Sequence, residues 1–174
     1  MNKILRLLRY DLPLHFVLLL TNWLPDNVPF LKLRGTLARP FFKQCEKNLR
    51  LGRNLVLYNP SSISIGKDVY IAYGTWISAG GLIVIADEVT VGPYCVIVSS
   101  DHQQKNSSFF NGGVSNQPIY IDKGCWLGAH AVVTAGCHIG QGSLIGAGAI
   151  CTNEIPQGVL AGGIPAKVIK RLNE

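Results

Sequence analysis

The sequence lacks most of the short signatures that mark common enzyme classes. It contains no Walker loop, no dinucleotide-binding glycine fingerprint, no HExxH and no GxSxG, so none of the chemistries tied to those motifs is indicated. No CxxC pair occurs, and the number of cysteines is odd: Cys45, Cys95, Cys125, Cys137 and Cys151. We expect small buried thiols in a reducing cytoplasm, rather than disulfides or a metal site.

A membrane-spanning run is also missing. The apolar stretch from Leu12 to Leu20 is interrupted by Pro13 and His15 and is shorter than the about 20 residues that cross a bilayer. No A-x-A-like cleavage site follows it, so it does not read as a signal peptide. We predict that residues 1–48 form a separate, helical, apolar and basic segment. It either caps the domain that follows or lies in a membrane interface.

Acidic residues are scarce only in the first third of the chain. Residues 1–53 hold ten Lys/Arg and three Asp/Glu, whereas residues 54–174 hold six and seven. The net charge of +6 therefore belongs to the N-terminal segment. A nucleic-acid-binding face would place basic residues among aromatic ones along the rest of the chain, and that pattern is absent. We expect no nucleic-acid partner.

What the sequence does contain is a six-residue repeat from Ile121 to Pro156. An aliphatic residue opens each of the first five blocks, and the fifth place is small until the last block. A period of six matches neither a helix nor an alternating strand, but it is the period of a parallel β-helix. We predict an all-β fold over residues 49–174, in which the opening residue of each block points into a stacked aliphatic column.

The repeat has three irregular places. Its phase jumps by two residues after Ile83, which we assign to an insertion at a corner. It stops at the polar excursion loop 99–118, and a loop of this length in a compact domain usually has a function. It ends in a short basic amphipathic tail or helix. His102 stands where the coil gives way to the loop, and histidine is a natural general base for a hydroxyl. The adjacent Asp101 should point to the opposite side of an extended segment.

Three segments carry a resemblance to a known family. The loop with SSDH, the segment WLGAHAVV and the run GAGAICTNEIPQGVLAGGIPAKVIK resemble the hexapeptide-repeat acyltransferases, in particular galactoside, maltose and surface-polysaccharide O-acetyltransferases. The resemblance covers about residues 60–172. We expect no counterpart of the N-terminal third in the simple sugar acetyltransferases, since it looks more like extensions of the polysaccharide members. It implies a left-handed parallel β-helix, a homotrimer with sites between subunits, acetyl-CoA as the acyl donor, and no metal.

The resemblance also assigns roles to residues. His102 matches the general base that deprotonates the acceptor hydroxyl. A second group matches positions along acetyl-CoA. Trp126 and Ala129 match the wall beside the pantetheine arm, and Lys167 and Lys170 match cations near the phosphates. Ala147, Thr152 and Asn153 match positions that contact the cofactor chain through backbone and small side chains. Asn153 stands where the family commonly has lysine.

The acceptor side matches less well. Where the sugar enzymes carry an asparagine, this chain has Ala72-Tyr73-Gly74, which favours a different acceptor. We take Tyr73, Trp76 and Asp101 as candidate substrate contacts. A backbone N–H of the Gly80-Gly81 region is the candidate oxyanion donor.

The predicted function is therefore O-acetylation of a saccharide, either free or lipid-linked, in the biosynthesis of O-antigen, capsule or exopolysaccharide. We expect the enzyme in the cytoplasm, either free or peripheral at the inner face of the membrane. An acetyltransferase for an amino sugar, serine or an antibiotic is an alternative. Two further alternatives are a three-histidine zinc enzyme like the γ-type carbonic anhydrases and a non-catalytic repeat scaffold.

Overall fold

A computed structural model describes residues 2–172 of the chain. The N-terminal segment is helical: α1 (Lys3–Arg6), a π-helical turn (Leu7–Asp11), α2 (Leu12–Thr21), α3 (Val28–Ala38) and a 3₁₀ turn (Arg39–Phe41). Pro29 occupies the first turn of α3, where its missing N–H has no intrahelical partner in any case. The Asn27 side chain caps α3 by accepting a hydrogen bond from the Phe30 N–H, which explains where that helix begins.

The remainder of the described chain is made of short strands separated by turns. They are β1 (Gln44–Cys45), β2 (Arg50–Leu51), β3 (Val56–Tyr58), β4 (Ile63–Ile65), β5 (Tyr70–Ile71), β6 (Trp76–Ser78), β7 (Ile83–Ile85), β8 (Thr90–Val91), β9 (Val96–Val98), β10 (Ser100–His102), β11 (Val114–Asn116), β12 (Ile119–Ile121), β13 (Trp126–Leu127), β14 (Val132–Val133), β15 (His138–Ile139), β16 (Leu144–Ile145), β17 (Ile150–Cys151), β18 (Val159–Gly162) and β19 (Lys167–Arg171).

Successive strands join three different parallel sheets in turn. Sheet A has the order β1-β4-β7-β12-β15, sheet B has β2-β5-β8-β13-β16-β18, and sheet C has β3-β6-β9-β14-β17. The chain therefore winds as a parallel β-solenoid of about six turns, and the hexapeptide prediction is confirmed. Every place where the chain passes from one sheet to the next is a corner, which we name by the two sheets that it joins.

The core is the predicted aliphatic column. The residues that open the blocks are fully buried, for example Ile121, Leu127 and Val133, and so are the small residues at the fifth places. The two-residue phase jump was assigned to the wrong place. It lies within β7, where Ile83 and Ile85 are both buried and stack on the matching residues of β4. The jump therefore lengthens a side of the coil, and no corner insertion is needed.

The cysteines occupy the positions expected of small core residues. All five are free, and Cys45 alone among them is not fully buried. Burial raises the pKa of the Cys95 thiol to about 11, because the thiolate is disfavoured in an apolar environment. These side chains are packing elements of the solenoid, since a protonated thiol at a small corner position is inert.

The N-terminal helices cover the first coil. Leu14 of α2 belongs to the buried core, and Val17 and Leu18 pack against it. Helix α3 lies close to the chain before β2, since a Cβ on Gly35 would come 1.9 Å from the Leu49 carbonyl oxygen. The solenoid itself begins with β1, which pairs with β4. The division of the chain into two domains at residue 49 stays a prediction.

The C-terminal tail is a strand, and the alternative of a helix is wrong. Strand β19 pairs antiparallel with β18, and the Leu172 N–H donates to the Gly158 carbonyl 2.8 Å away. The physical reason is the open edge of sheet B after its last parallel strand. An unpaired edge carries free backbone groups, and the tail satisfies them.

Candidate active site

The excursion loop is a β-hairpin that projects from the C–A corner. Strands β10 and β11 pair antiparallel with His102 opposite Val114, and the Gln103 N–H donates to the Gly113 carbonyl 3.0 Å away. At the turn, a Cβ on Gly112 would come 1.5 Å from the Gln103 carbonyl oxygen, so only glycine permits this close approach. The loop is therefore an ordered arm with its histidine at the end of a strand.

The base of this arm is fixed on the preceding coil. The Ser99 hydroxyl accepts a hydrogen bond from the Gly81 N–H at 2.9 Å and donates to the Gly81 carbonyl at 3.0 Å. A Cβ on Gly80 would come 2.5 Å from Asn116 Oδ1, so the hairpin rests directly on the backbone there. This geometry also excludes the Gly81 N–H as an oxyanion donor, because the Ser99 hydroxyl already uses it. The candidacy of Gly81 for that role was wrong.

The His102 imidazole is exposed at the end of β10. Among residues 2–172, no hydrogen bond or ion pair joins it to another side chain, and none joins it to Asp101, which is paired across the hairpin with Ser115. A free imidazole on a fixed backbone can accept a proton from a hydroxyl brought to it. Any group that orients the ring must come from a ligand or from another chain.

The small residues assigned to the donor chain stack at the B–C corner. The Gly148 N–H donates to the Ala129 carbonyl at 2.9 Å, which sets Ala129 and Ala147 one coil apart on the same edge. Ala147 is exposed, and Ala129 is half-buried. Gly148 has a φ of +70°, and a Cβ there would meet no atom within 4 Å. The corner is thus a shallow strip of bare backbone and methyl groups, which fits a long, thin pantetheine chain.

The other donor candidates lie on either side of this strip. Trp126 is half exposed on the outer face of sheet B, where it pairs in register with Thr90 and Leu144. Lys167 and Lys170 are exposed on β19, at the end of the same sheet. Two exposed cations at the end of a bare strip match the phosphates of a nucleotide-bearing thioester.

Thr152 and Asn153 are not part of this strip. They follow β17 at the C–A corner and are exposed, with the Asn153 amide donating to the Thr152 hydroxyl at 3.3 Å. They share that corner with the His102 hairpin, two coils away. Within one chain, His102, Thr152 and Asn153 therefore lie at the same corner without contact, whereas the strip and Trp126 lie on other surfaces.

The two aromatic acceptor candidates differ in their availability. Tyr73 is half-buried, its hydroxyl accepts a hydrogen bond from Asn54, and its ring meets Tyr94 edge-on with centroids 5.4 Å apart. Tyr94 in turn stacks on His130 with centroids 5.2 Å apart. Tyr73 is thus one rung of an aromatic ladder at the B–C corner.

Trp76, in contrast, is 42% exposed on the outer face of sheet C, beside Tyr58, which is 52% exposed. Their ring centroids lie 5.4 Å apart. The sequence reasoning missed Tyr58. Trp76 pairs in register with Val56, 20 residues earlier, so Tyr58 is its diagonal neighbour on the same face, and the alternation along β3 was the available signal.

The other histidines form separate contacts. His138 Nε2 lies 2.9 Å from Asp122 Oδ2 on sheet A, and His130 belongs to the ladder. Within the described residues 2–172, no three His, Cys, Asp or Glu side chains converge as a metal-ligand set.

Comparison with known proteins identifies the family. The profile "Bacterial transferase hexapeptide (six repeats)" matches residues 118–153. Galactoside O-acetyltransferase of Escherichia coli (strain K12) is 30% identical over 141 residues, which cover 81% of this chain and 70% of that protein. The enzyme of the same name from Lactococcus lactis is 31% identical over 133 residues, which cover 71% of this chain and 63% of that protein.

Solved structures agree over almost the whole chain. A galactoside acetyltransferase in complex with coenzyme A has a TM-score of 0.84 and 29% identity, covering 99% of this chain and 84% of that one. A hexapeptide-repeat acetyltransferase of Vibrio cholerae, solved with acetyl-CoA, shares the fold with a TM-score of 0.83 and 23% identity, covering 99% and 91%. The expectation that the N-terminal third has no counterpart in sugar acetyltransferases is therefore wrong. The chain belongs to the hexapeptide-repeat acetyltransferases.

Proposed function

We propose that this protein transfers an acetyl group from acetyl-CoA to a hydroxyl of a saccharide, with His102 as the general base. The observation that carries this proposal is the exposed, unbonded His102 imidazole at the end of a strand anchored to a rigid coil, in a chain 30% identical to a galactoside O-acetyltransferase. When bound, acetyl-CoA supplies an activated thioester carbonyl. His102 removes the hydroxyl proton as the acceptor oxygen attacks, and a base so placed contributes about 10²–10⁴-fold.

The donor lies along the B–C corner. Ala129 and Ala147 leave room for the pantetheine chain, Lys167 and Lys170 lie near the phosphates, and Trp126 forms a wall beside the thioester arm. Thr152 and Asn153, which share the C–A corner with the His102 hairpin, contact a donor bound along the strip of a neighbouring chain. This arrangement explains why small side chains occupy exposed corner positions, where a solvent-facing repeat would accept larger polar ones.

The active form is a homotrimer in which each site uses two chains. The geometry supports this assembly, because the hairpin and the donor strip of one chain lie at different corners and neither encloses a site alone. The arm projects away from its own solenoid, which suits contact with a neighbouring one. Coexpressing His102→Ala with Trp126→Ala tests this arrangement. In mixed trimers some interfaces combine an intact His102 with an intact Trp126, so activity returns well above that of either variant alone. No recovery would mean that the site lies within one chain.

The acceptor is a saccharide of surface-polysaccharide biosynthesis, carried on a lipid at the cytoplasmic face of the membrane. What supports a saccharide larger than a simple galactoside is the exposed Tyr58–Trp76 pair, because aromatic faces stack on sugar rings. Ala72 also supports it, since this residue is 4% exposed and offers no polar group to a small sugar.

The experiment that tests the function is thiol release from acetyl-CoA in the presence of an acceptor panel. The panel holds free sugars, oligosaccharides, lipid-linked saccharides, amino sugars, serine and antibiotics. We expect turnover with the saccharides and a loss of about 10²–10⁴-fold in His102→Ala. His138→Ala is the matched control, since it removes an imidazole from sheet A. Turnover of His102→Ala close to that of the wild type would refute the assignment of the base.

A further inference from the structure

The outer face of the N-terminal helices has no partner within the described chain, although helix α2 is apolar on two opposite sides. The inner side packs on the solenoid through Leu14, which is 2% exposed, with Val17 and Leu18 beside it. The opposite side continues from the preceding helix and is open to solvent. Its members, which we call the outer face, are Leu5, Leu8, Phe16, Leu19, Leu20 and Trp23, and they are 53–77% exposed.

The first helical turns, from Lys3 to Asp11, contain no buried residue. Ile4 and Leu7 add to the exposed apolar area at 66% and 46%. Short helices are marginal in water without tertiary packing, and a continuous exposed apolar surface marks an interaction site. This segment therefore requires a partner that covers it.

The charges around the outer face define that partner. Residues 1–43 carry seven Lys/Arg and two Asp/Glu. Both acids are already paired, Asp11 with Arg6 at 3.6 Å and Asp26 with Arg34 at 3.2 Å. The segment that carries the outer face therefore has a net positive charge, and its three lysines, Lys3, Lys32 and Lys43, are exposed. Packing of this face against the same face of a second copy would bring like charges together, so a symmetric contact of that kind is opposed by repulsion.

We infer that the outer face binds a membrane surface rich in anionic lipids. Apolar side chains and a tryptophan on one side, with basic residues beside them, are the pattern of a helix that lies in the headgroup region. Each Lys or Arg close to such a surface adds attraction. None of the helices described between residues 2 and 172 has the length and apolar content needed to cross a bilayer, so the contact is with the surface. The inference does not depend on the identity of the acceptor.

Vesicle co-sedimentation of the full chain tests this. Wild-type protein is mixed with vesicles of phosphatidylcholine containing about one third phosphatidylglycerol, a strongly anionic surface, and with vesicles of phosphatidylcholine alone. We expect binding to the first and at least tenfold weaker binding to the second. Leu19→Ser/Trp23→Ser should weaken binding to the anionic vesicles at least tenfold, because it removes apolar area without touching the core. Thermal melting of the variant checks that it folds.

A charge-matched pair separates local from overall electrostatics. Lys3→Glu/Lys32→Glu changes two exposed residues of the helical segment, and Lys67→Glu/Lys123→Glu makes the same change of net charge on the solenoid. Because the two solenoid lysines pair with Asp87 and Glu88, thermal melting also checks that this control folds. We expect a large loss of binding only for the first pair. Equal losses for both pairs, or failure of the wild type to bind anionic vesicles, would overturn the inference. Light scattering supplies the remaining arm, since a fall in oligomer mass for Leu19→Ser/Trp23→Ser would assign the face to a second copy instead.

Discussion

A single buried arginine joins the helical segment to the solenoid, and its removal is the most direct test of that junction. The Arg34 side chain is 1% exposed. Its guanidinium donates to the backbone carbonyls of Leu51 in β2, Thr21 at 3.1 Å and Leu24 at 3.2 Å, and it contacts Asp26 Oδ1 at 3.2 Å. One side chain thus ties the end of α2, the following turn and the first coil to α3.

The substitution Arg34→Met keeps an unbranched chain of similar length but removes every donor. Each of the three carbonyl hydrogen bonds contributes about 0.5–1.5 kcal/mol net, and the carbonyl oxygens stay buried without a partner. Asp26 loses its buried cation but keeps Arg53 at 3.6 Å. We therefore expect the free energy of unfolding to fall by about 3–5 kcal/mol. For a chain of this size that corresponds to a melting temperature roughly 6–20 °C lower.

Arg53→Met is the matched control, because it removes a cation from the same carboxylate at a side chain that is 39% exposed. An exposed ion pair contributes at most about 1 kcal/mol. Urea denaturation followed by circular dichroism, at one protein concentration for all variants, measures both losses. If Arg34→Met and Arg53→Met lose the same stability, then burial does not strengthen these bonds and the reasoning fails.

Three further results are expected. Ile145→Ala, at a fully buried column position, should lower the free energy of unfolding in urea by about 2–5 kcal/mol. Leu144→Ala, at the adjacent half-buried position, should lower it clearly less. Equal losses would contradict the assignment of Ile145 as the inward residue. Gly112→Ala places a Cβ 1.5 Å from the Gln103 carbonyl oxygen, so the hairpin must shift. We expect acetyl transfer to fall at least tenfold, because a catalytic group is then misplaced. The melting temperature should stay within a few degrees of the wild-type value, about the effect of a surface change. Burial raises the pKa of the Cys95 thiol from 9.0 to about 11, so its contribution to stability is complete below pH 9. Between pH 9 and 11 the unfolded chain loses the proton first, and the free energy of unfolding falls by roughly 3 kcal/mol at most. Cys95→Ala should flatten that alkaline slope, and an unchanged slope would assign it to other groups.

The core of the fold could be predicted from sequence because the period of six is a local constraint repeated many times. Each inward residue, such as Leu127, is followed by the next one six residues later in the sequence, so an error in the assignment of one block leaves the other assignments unchanged. The hairpin could not be predicted in this way. Its strands contain Ser100, Asp101 and Asn116 and have no buried face, so no apolar alternation marks them. The tail was ambiguous for a related reason, since Lys167–Arg171 is exposed throughout and its pairing is decided by the open edge of β18.

The candidate site shows a different limit, which follows from the geometry of a solenoid. A coil of 18 to 20 residues returns the chain to the same corner, so residues one coil apart, such as Ala129 and Ala147, are neighbours. Residues of a single coil face different directions, which is why Trp126 and Thr134 lie on different sides of the molecule. Spacing alone therefore predicts which residues share a corner, but it cannot predict which corners meet. If the corner with His102 meets the donor strip of another copy, each chain provides its base to one site and its donor wall to another. A variant that damages the arm and a variant that damages the strip then affect different sites on the same chain.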